Sequence, residues 1–178
     1  GEALLGLPPL KAGAGSLFRP AGDPALVSPS GARRYLLKHG LTCRRGVTTH
    51  HFARPHNPRD RKLFSLMRPG ENSVTFLERT GRSDLILYRK DVFDDKYLRL
   101  RADRPCRTIV SHLKNDGNSF IHPEDARSLS IRESARVMSF PDSFIFCGTV
   151  SDQWSQVGNA VPPLMARAIA DSFIEALR

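Results

Sequence analysis

Two stretches near the C-terminus carry the reading of this chain. The first is Arg127-Ser128-Leu129-Ser130-Ile131-Arg132-Glu133-Ser134-Ala135-Arg136-Val137-Met138-Ser139-Phe140-Pro141-Asp142-Ser143-Phe144. The second, fourteen residues past Asp142, is Gln156-Val157-Gly158-Asn159-Ala160-Val161-Pro162-Pro163. Ser130 and Glu133 stand in a capping-box pattern: the serine hydroxyl serves the third amide and the glutamate reaches back to the cap amide. Ile131, Ala135 and Met138 follow near helical spacing, and Pro141 predicts that the helix stops before it. A loop is expected from there through Gly148. Trp154 is expected in a loop ahead of the second stretch, packing in a core. Pro162 or Pro163 suits the first turn of a final helix, where a missing N–H costs nothing. Met165, Ile169, Phe173 and Leu177 then step by four and form one apolar stripe. That stripe must bury against this chain's own core or against a larger partner domain.

Outward from these stretches the local signals weaken. Residues 1–32 are rich in Gly and Pro, which predicts an irregular connection. Helices are predicted over Arg33–His39, with Tyr35, Leu36 and Leu37 on the apolar side, and over Asp60–Met67 through Leu63, Phe64 and Met67. Short strands are predicted at Ser73–Leu77, Leu85–Tyr88, Tyr97–Leu100 and Thr108–Val110. Asp116-Gly117 suits a hairpin turn. No internal repeat is present.

The 178 residues suffice for one ordinary domain or two small ones. With 40% hydrophobic and 25% charged residues, the composition is globular rather than disordered. No run approaches the ~18 apolar residues that a membrane span needs. The N-terminus lacks a basic start and apolar core, so no secretory signal is expected. Three widely spaced cysteines, Cys43, Cys106 and Cys147, fit a reducing compartment better than a disulfide scaffold. The formal net charge is +9, and an excess of that size points to a polyanionic partner. Between Arg33 and Arg68 lie ten Lys or Arg residues and a single acid, Asp60, so that segment equals the whole chain's net charge. A charge run is commonly just a solvated face; this concentration favours phosphate contact.

The first stretch resembles the ninth motif of DNA cytosine-5 methyltransferases, roughly R-x-L-T-x-R-E-x-A-R-(L/V)-(Q/M)-x-F-P-D. Ser130 takes the place of the usual threonine, and a serine still caps. The second stretch resembles the tenth motif, Q-(I/V)-G-N-(A/S)-V-P-P, in the right order and at the right spacing. Weaker similarity covers Asp94-Asp95-Lys96-Tyr97, Arg104-Pro105-Cys106-Arg107-Thr108-Ile109 and Phe120-Ile121-His122-Pro123. Leu7-Pro8-Pro9-Leu10 looks like the segment after the eighth motif. The resemblance implies an α+β arrangement: a small mixed recognition domain with irregular β-structure, plus C-terminal helices belonging to an S-adenosylmethionine-dependent methyltransferase α/β fold. Residues 1–125 would be the target recognition region. Residues 126–178 would carry the ninth and tenth motifs, with the last helix packing on a catalytic domain. The implied reaction moves a methyl group from S-adenosyl-L-methionine to C5 of cytosine in a specific duplex sequence.

The departures are equally informative. The family's F-x-G-x-G cofactor loop, P-C-Q nucleophile loop, E-N-V segment and Q-x-R-x-R strand are not in this sequence. The thiolate must add to C6 of cytosine while an acid protonates N3, so without those groups the ring is not activated. Pro105-Cys106-Arg107 has the proline and cysteine, but Arg107 stands where glutamine is needed, and Cys106 reads as a small residue beside a strand. No catalytic residue is therefore expected in this chain. The resemblance implies double-stranded DNA as one partner and an N-terminal domain or subunit with the nucleophilic cysteine as the other. It also implies a bacterial, cytoplasmic, nucleoid-associated protein of restriction–modification type. Because the chain begins at Gly1, we expect a fragment of a longer polypeptide. A natural split subunit and a remnant that only binds DNA are the alternatives.

Candidate DNA-binding residues are Thr108 and Ile109, which resemble the Thr-(Leu/Val/Ile) pair that the family sets near the extruded base, with Arg107 and Lys114 flanking them as cations for phosphates, and Arg44, Arg45 and Arg59 from the basic segment. For Ile109 the competing reading is a strand residue facing a core. Candidate cofactor-binding residues are Asn159, Ala160 and Val161; Asn159 would equally suit a cap for the final helix. Arg132 and Glu133 read as structural. His50, His51 and His56 match no zinc spacing and are expected at the surface or near phosphates, with no metal. A plain DNA-binding regulator, or a metal-dependent nuclease using His50, His51 and Asn57, are the rivals from other classes.

Overall fold

The computed structural model describes residues 2–4, 6–18, 38–39, 49–87 and 96–178. Most of the expected Arg33–His39 helix, together with Cys43, Arg44, Arg45, Tyr88 and Asp94-Asp95, lies outside the described residues. Within them, two short strands, β1 (Gly15–Phe18) and β2 (Thr49–Phe52), pair antiparallel. Five helices follow: α1 (Pro58–Leu66), α2 (Ser73–Thr80), α3 (Ile131–Val137), α4 (Val150–Asn159) and α5 (Pro163–Ala176). Short 3-10 turns lie at Glu2–Leu4, Ser83–Leu85, Ser111–Lys114 and Gly117–Ser119. The architecture is mixed, mostly helical with little strand.

Helix α1 matches its expectation. Asn57 accepts the Asp60 amide at 2.8 Å, Pro58 opens the helix, and Leu63 and Phe64 are buried. Helix α2 overturns the expected strand Ser73–Leu77. Asn72 and Thr75 form a reciprocal capping box, and Gly81 closes the helix in the left-handed region at φ 66°. Only Ser73 and Phe76 are buried along it, three residues apart, which is a helix period and not the alternation of a strand.

The other strands are also corrected. Leu85 ends a 3-10 turn, and Leu85 and Ile86 are both buried, which breaks the alternation a half-buried strand requires. Tyr97–Leu100 holds only isolated bridges, Leu98 to Asn72 and Arg99 to Ile121. Thr108–Val110 joins no ladder and runs into the Ser111–Lys114 turn. At the expected hairpin, Asp116 instead accepts the Asn118 amide and starts the Gly117–Ser119 turn; a local side-chain bond replaces strand pairing.

Two apolar clusters organise the chain. One gathers Leu63, Phe64, Met67, Phe76, Tyr97 and Ile121 around α1 and α2. The other packs α3 and α4 on the 109–113 segment through Ile109, Leu113, Ile131, Ala135, Trp154 and Val157. Arg99 ties the first cluster to the 123–124 segment, donating to the carbonyls of Phe64, Met67, Pro123 and Glu124. Trp154 is buried as expected, but on a helix rather than a loop. Thr149 and Asp152 form a third capping box that starts α4, and this signal was present in the sequence.

Candidate nucleic-acid and cofactor interface

Helix α3 is the anchor of the site, and its charged residues point inward. Ser130 Oγ accepts the Glu133 amide at 3.2 Å, and Glu133 accepts the Ser130 amide at 2.6 Å. Arg127 then grips the same carboxylate with two bonds of 2.7 and 2.8 Å, and also donates to the Leu10 carbonyl. Burial pushes the Glu133 carboxyl up, but Arg127, His122 and His51 outweigh it and hold it at about 2. Arg136 makes a matching buried pair with Asp142 at 2.8 and 2.5 Å. Arg132, fully buried, donates to the carbonyls of Thr49, Pro141 and Phe144 and to Thr49 Oγ1. Glu133 thus caps, and Arg132 ties β2 to the loop after α3.

The histidines are structural rather than superficial, a correction. His50 and His51 are buried. His50 Nε2 accepts the Phe146 amide at 3.1 Å, which leaves Nδ1–H to donate to Gln153 Oε1 at 2.8 Å. His51 Nε2–H donates to the Pro8 carbonyl, and its Nδ1 accepts from Ser130 Oγ, both at 2.9 Å. His56 Nε2 accepts the Ser128 amide at 3.1 Å. Burial lowers all three, His56 to about 4, so each ring is neutral at pH 7. Each lone pair is already committed to a hydrogen bond, so the three rings offer no ready ligand set, and Asn57 is occupied in capping α1.

The candidate DNA residues fall in two places. Arg107, Thr108 and Lys114 are exposed along the 107–115 segment, with Ser111 and His112 beside them. Ile109 is 5% exposed and faces the core, so only its backbone is near that surface. Arg59 is half-buried on α1 and pairs with Asp60 at 3.0 Å. The surface cations Arg61, Lys62 and Arg68 lie on α1 or just after it. A contact invisible in sequence unites the 107–115 segment with the second motif. A Cβ on Gly158 would sit 2.8 Å from the Val110 carbonyl oxygen and 3.3 Å from Leu113 Cβ. Only glycine lets α4 lie this close to the turn.

At the end of α4 the Asn159 side chain is exposed, Ala160 leaves the helix in extended backbone, and Val161 is exposed. The start of α5 is set by Pro163, with no side-chain cap, so Asn159 does not cap it. The Leu164 amide donates to Ser139 Oγ at 3.1 Å, tying α5 to the end of α3. No residue of α5 is buried; Met165, Ile169, Phe173 and Leu177 are 57%, 45%, 67% and 87% exposed.

Residues 44–175, nearly three quarters of the chain, match the model of the C-5 cytosine-specific DNA methylase family. The chain belongs to the C-5 cytosine-specific DNA methylase family. It is 32% identical over 181 aligned positions to type II methyltransferase M.DdeI of Desulfomicrobium norvegicum, covering 96% of this chain and 41% of that protein. Type II methyltransferase M.AgeI of Thalassovita gelatinovora is 49% identical over 80 residues, 45% of this chain and 19% of that protein. A putative type II methyltransferase of Oceanobacillus iheyensis is 45% identical over 85 residues, 48% of this chain and 18% of that protein. The chain spans well under half the length of these curated relatives.

For a C-5 cytosine methylase chain, Cys106 is the residue to weigh, since it carries the only Pro-Cys pair. It is half-buried, and burial pushes its thiol up to about 11 with Arg107 opposing. It is therefore a thiol at pH 7, the wrong form for a nucleophile. Cys106→Ser is expected to leave methyl transfer by the completed enzyme unchanged; loss of turnover with DNA binding intact would make Cys106 catalytic. The Asn159–Val161 segment sets an exposed amide side chain beside two small apolar side chains. No helix among the described residues is long and apolar enough to cross a membrane.

Proposed function

We propose that this chain is the DNA-recognition and cofactor-closing portion of a DNA cytosine-5 methyltransferase, working with a partner domain or subunit that holds the nucleophilic cysteine. The observation that carries it is the exposed apolar stripe of α5, which directly follows the Asn159–Val161 segment. A contiguous exposed apolar face of this kind marks a surface on which another body packs. Residues 1–125 serve recognition, and residues 126–178 carry the ninth and tenth motifs. Arg107, Thr108 and Lys114, the Ile109 backbone, and Arg44, Arg45 and Arg59 of the basic segment meet the duplex. Asn159, Ala160 and Val161 form one wall for S-adenosyl-L-methionine, which supplies the methyl group when bound. The residues of this chain hold and orient; the proton and thiolate steps belong to the partner.

The test is transfer of labelled methyl groups from S-adenosyl-L-methionine to duplex DNA. The chain alone is expected to transfer none, and to gain activity when joined to a polypeptide carrying the P-C-Q loop. With about six phosphate contacts, affinity for a random duplex falls by about 10³ between roughly 50 and 200 mM salt. Methyl transfer by the chain alone, or a flat salt response, would overturn the reading.

A further inference from the structure

Arg54 follows β2 and lies sixty positions from the exposed recognition turn, yet the fold brings it beneath that turn. Its Nη1 donates to the Lys114 carbonyl at 2.8 Å and its Nη2 to the Leu113 carbonyl. These are the free carbonyls at the end of the Ser111–Lys114 turn. The guanidinium carbon lies over the Trp154 ring, 4.2 Å from its centroid. Trp154 belongs to α4, the helix that carries Gln156–Asn159 and packs on the turn at Gly158. Burial pulls the Arg54 guanidinium down to about 10, with Asp116 opposing, so it is still a cation at pH 7.

We propose that Arg54 is a positioning residue for DNA recognition: it caps the 111–114 turn, fastens it to Trp154, and so sets how Thr108, Ser111, His112 and Lys114 face the duplex. The DNA consequence rests on the function proposed above; the positioning of the turn does not. The planar fork is essential to the role. Lysine keeps the charge, but it presents neither two parallel donors nor a flat face for the indole. Because its two Nη groups serve carbonyls, Arg54 acts through the turn and adds no phosphate contact.

Two measurements on the full chain test this. Hydrogen exchange in Arg54→Lys is expected to quicken about tenfold at the Leu113, Asn115 and Asp116 amides, which close the turn, while the Ser134 and Met138 amides of α3 stay unchanged. Trp154, the sole tryptophan, is expected to shift its fluorescence in the same variant. Trp154→Leu keeps a large apolar side chain and removes the aromatic face; it is expected to give the same pattern, about threefold, and serves if Arg54→Lys does not fold. Unaltered exchange at the turn amides in the folded variant overturns the proposal.

The second measurement selects from a randomised duplex pool over a salt series. Arg54→Lys is expected to lose about tenfold in sequence discrimination with an unchanged salt slope. A slope lower by about one, with discrimination intact, means that Arg54 is itself a phosphate contact and overturns the proposal. A wild-type chain that binds no duplex defeats the proposed function instead, and the exchange experiment still decides the role of Arg54.

Discussion

Glu133→Ala is expected to cost about 3–5 kcal/mol of folding stability, much of what a domain of this size possesses. The carboxylate is 2% exposed and receives two Arg127 bonds and the Ser130 amide. Its loss leaves the cap amide unserved and strands the Arg127 guanidinium in a buried site, with only the half-exposed Asp125 still paired to it. The cost is dominated by that stranded charge rather than by the worth of the pair. Urea unfolding of wild type and variant measures it, and a loss under about 1 kcal/mol would mean that the pair is peripheral. A double change, Arg127→Met with Glu133→Leu, is expected to recover part of the loss, since neither charge is then left buried alone.

The same carboxylate sets a pH dependence. Its folded pKa, about 2, lies below the ordinary 4.5, so the folded state favours the ionised form. The associated stability is complete above about 4.5 and declines as pH falls toward about 2. Glu133→Gln cannot titrate, and its stability profile is expected to lose that acid limb.

Arg132→Met is expected to destabilise by about 3 kcal/mol, because the buried Thr49 carbonyl and hydroxyl and the part-buried Pro141 and Phe144 carbonyls all lose their donor. Those carbonyls belong to Thr49, Pro141 and Phe144, so one guanidinium fastens β2 and the 141–144 loop to α3. Arg132→Lys is expected to fare little better, since one ammonium cannot reach acceptors set around a planar fork. The neighbouring Phe146 amide, held by His50, is expected to exchange faster in both variants. Stability within about 0.5 kcal/mol of wild type in Arg132→Met would mean that the carbonyls find other donors.

Local chemistry was readable where a few neighbouring residues settle the outcome. The Ser130–Glu133 box starts α3 and Asn57-Pro58 starts α1, because each cap is satisfied within one turn, and Pro163 opens α5 because a first-turn proline lacks only an N–H that has no helical partner. Two further signals of the same kind stand in the sequence. Asn72 with Thr75 and Gly81 marks α2, and Thr149 with Asp152 marks α4. In the first, a reciprocal cap overrides the strand preference of the β-branched residues. In the second, a loop between the two motif stretches concealed a cap.

The sequence by itself determined the family, through two motif stretches in order, and the ends of the capped helices, because these depend on residues within a few positions of each other. It also showed the apolar stripe of α5, though not that the stripe stays uncovered. Only the tertiary structure decided that His50 and His51 are buried, that Ile109 faces inward while Thr108 faces out, and that Arg54 reaches the carbonyls of Leu113 and Lys114. Ile109 turns inward because the apolar cluster around Leu113 and Val157 takes it up; for the two histidines and Arg54 the reason is a different one. A buried polar group must find its hydrogen-bond partner wherever the fold supplies one, and here those partners lie tens of residues away along the chain.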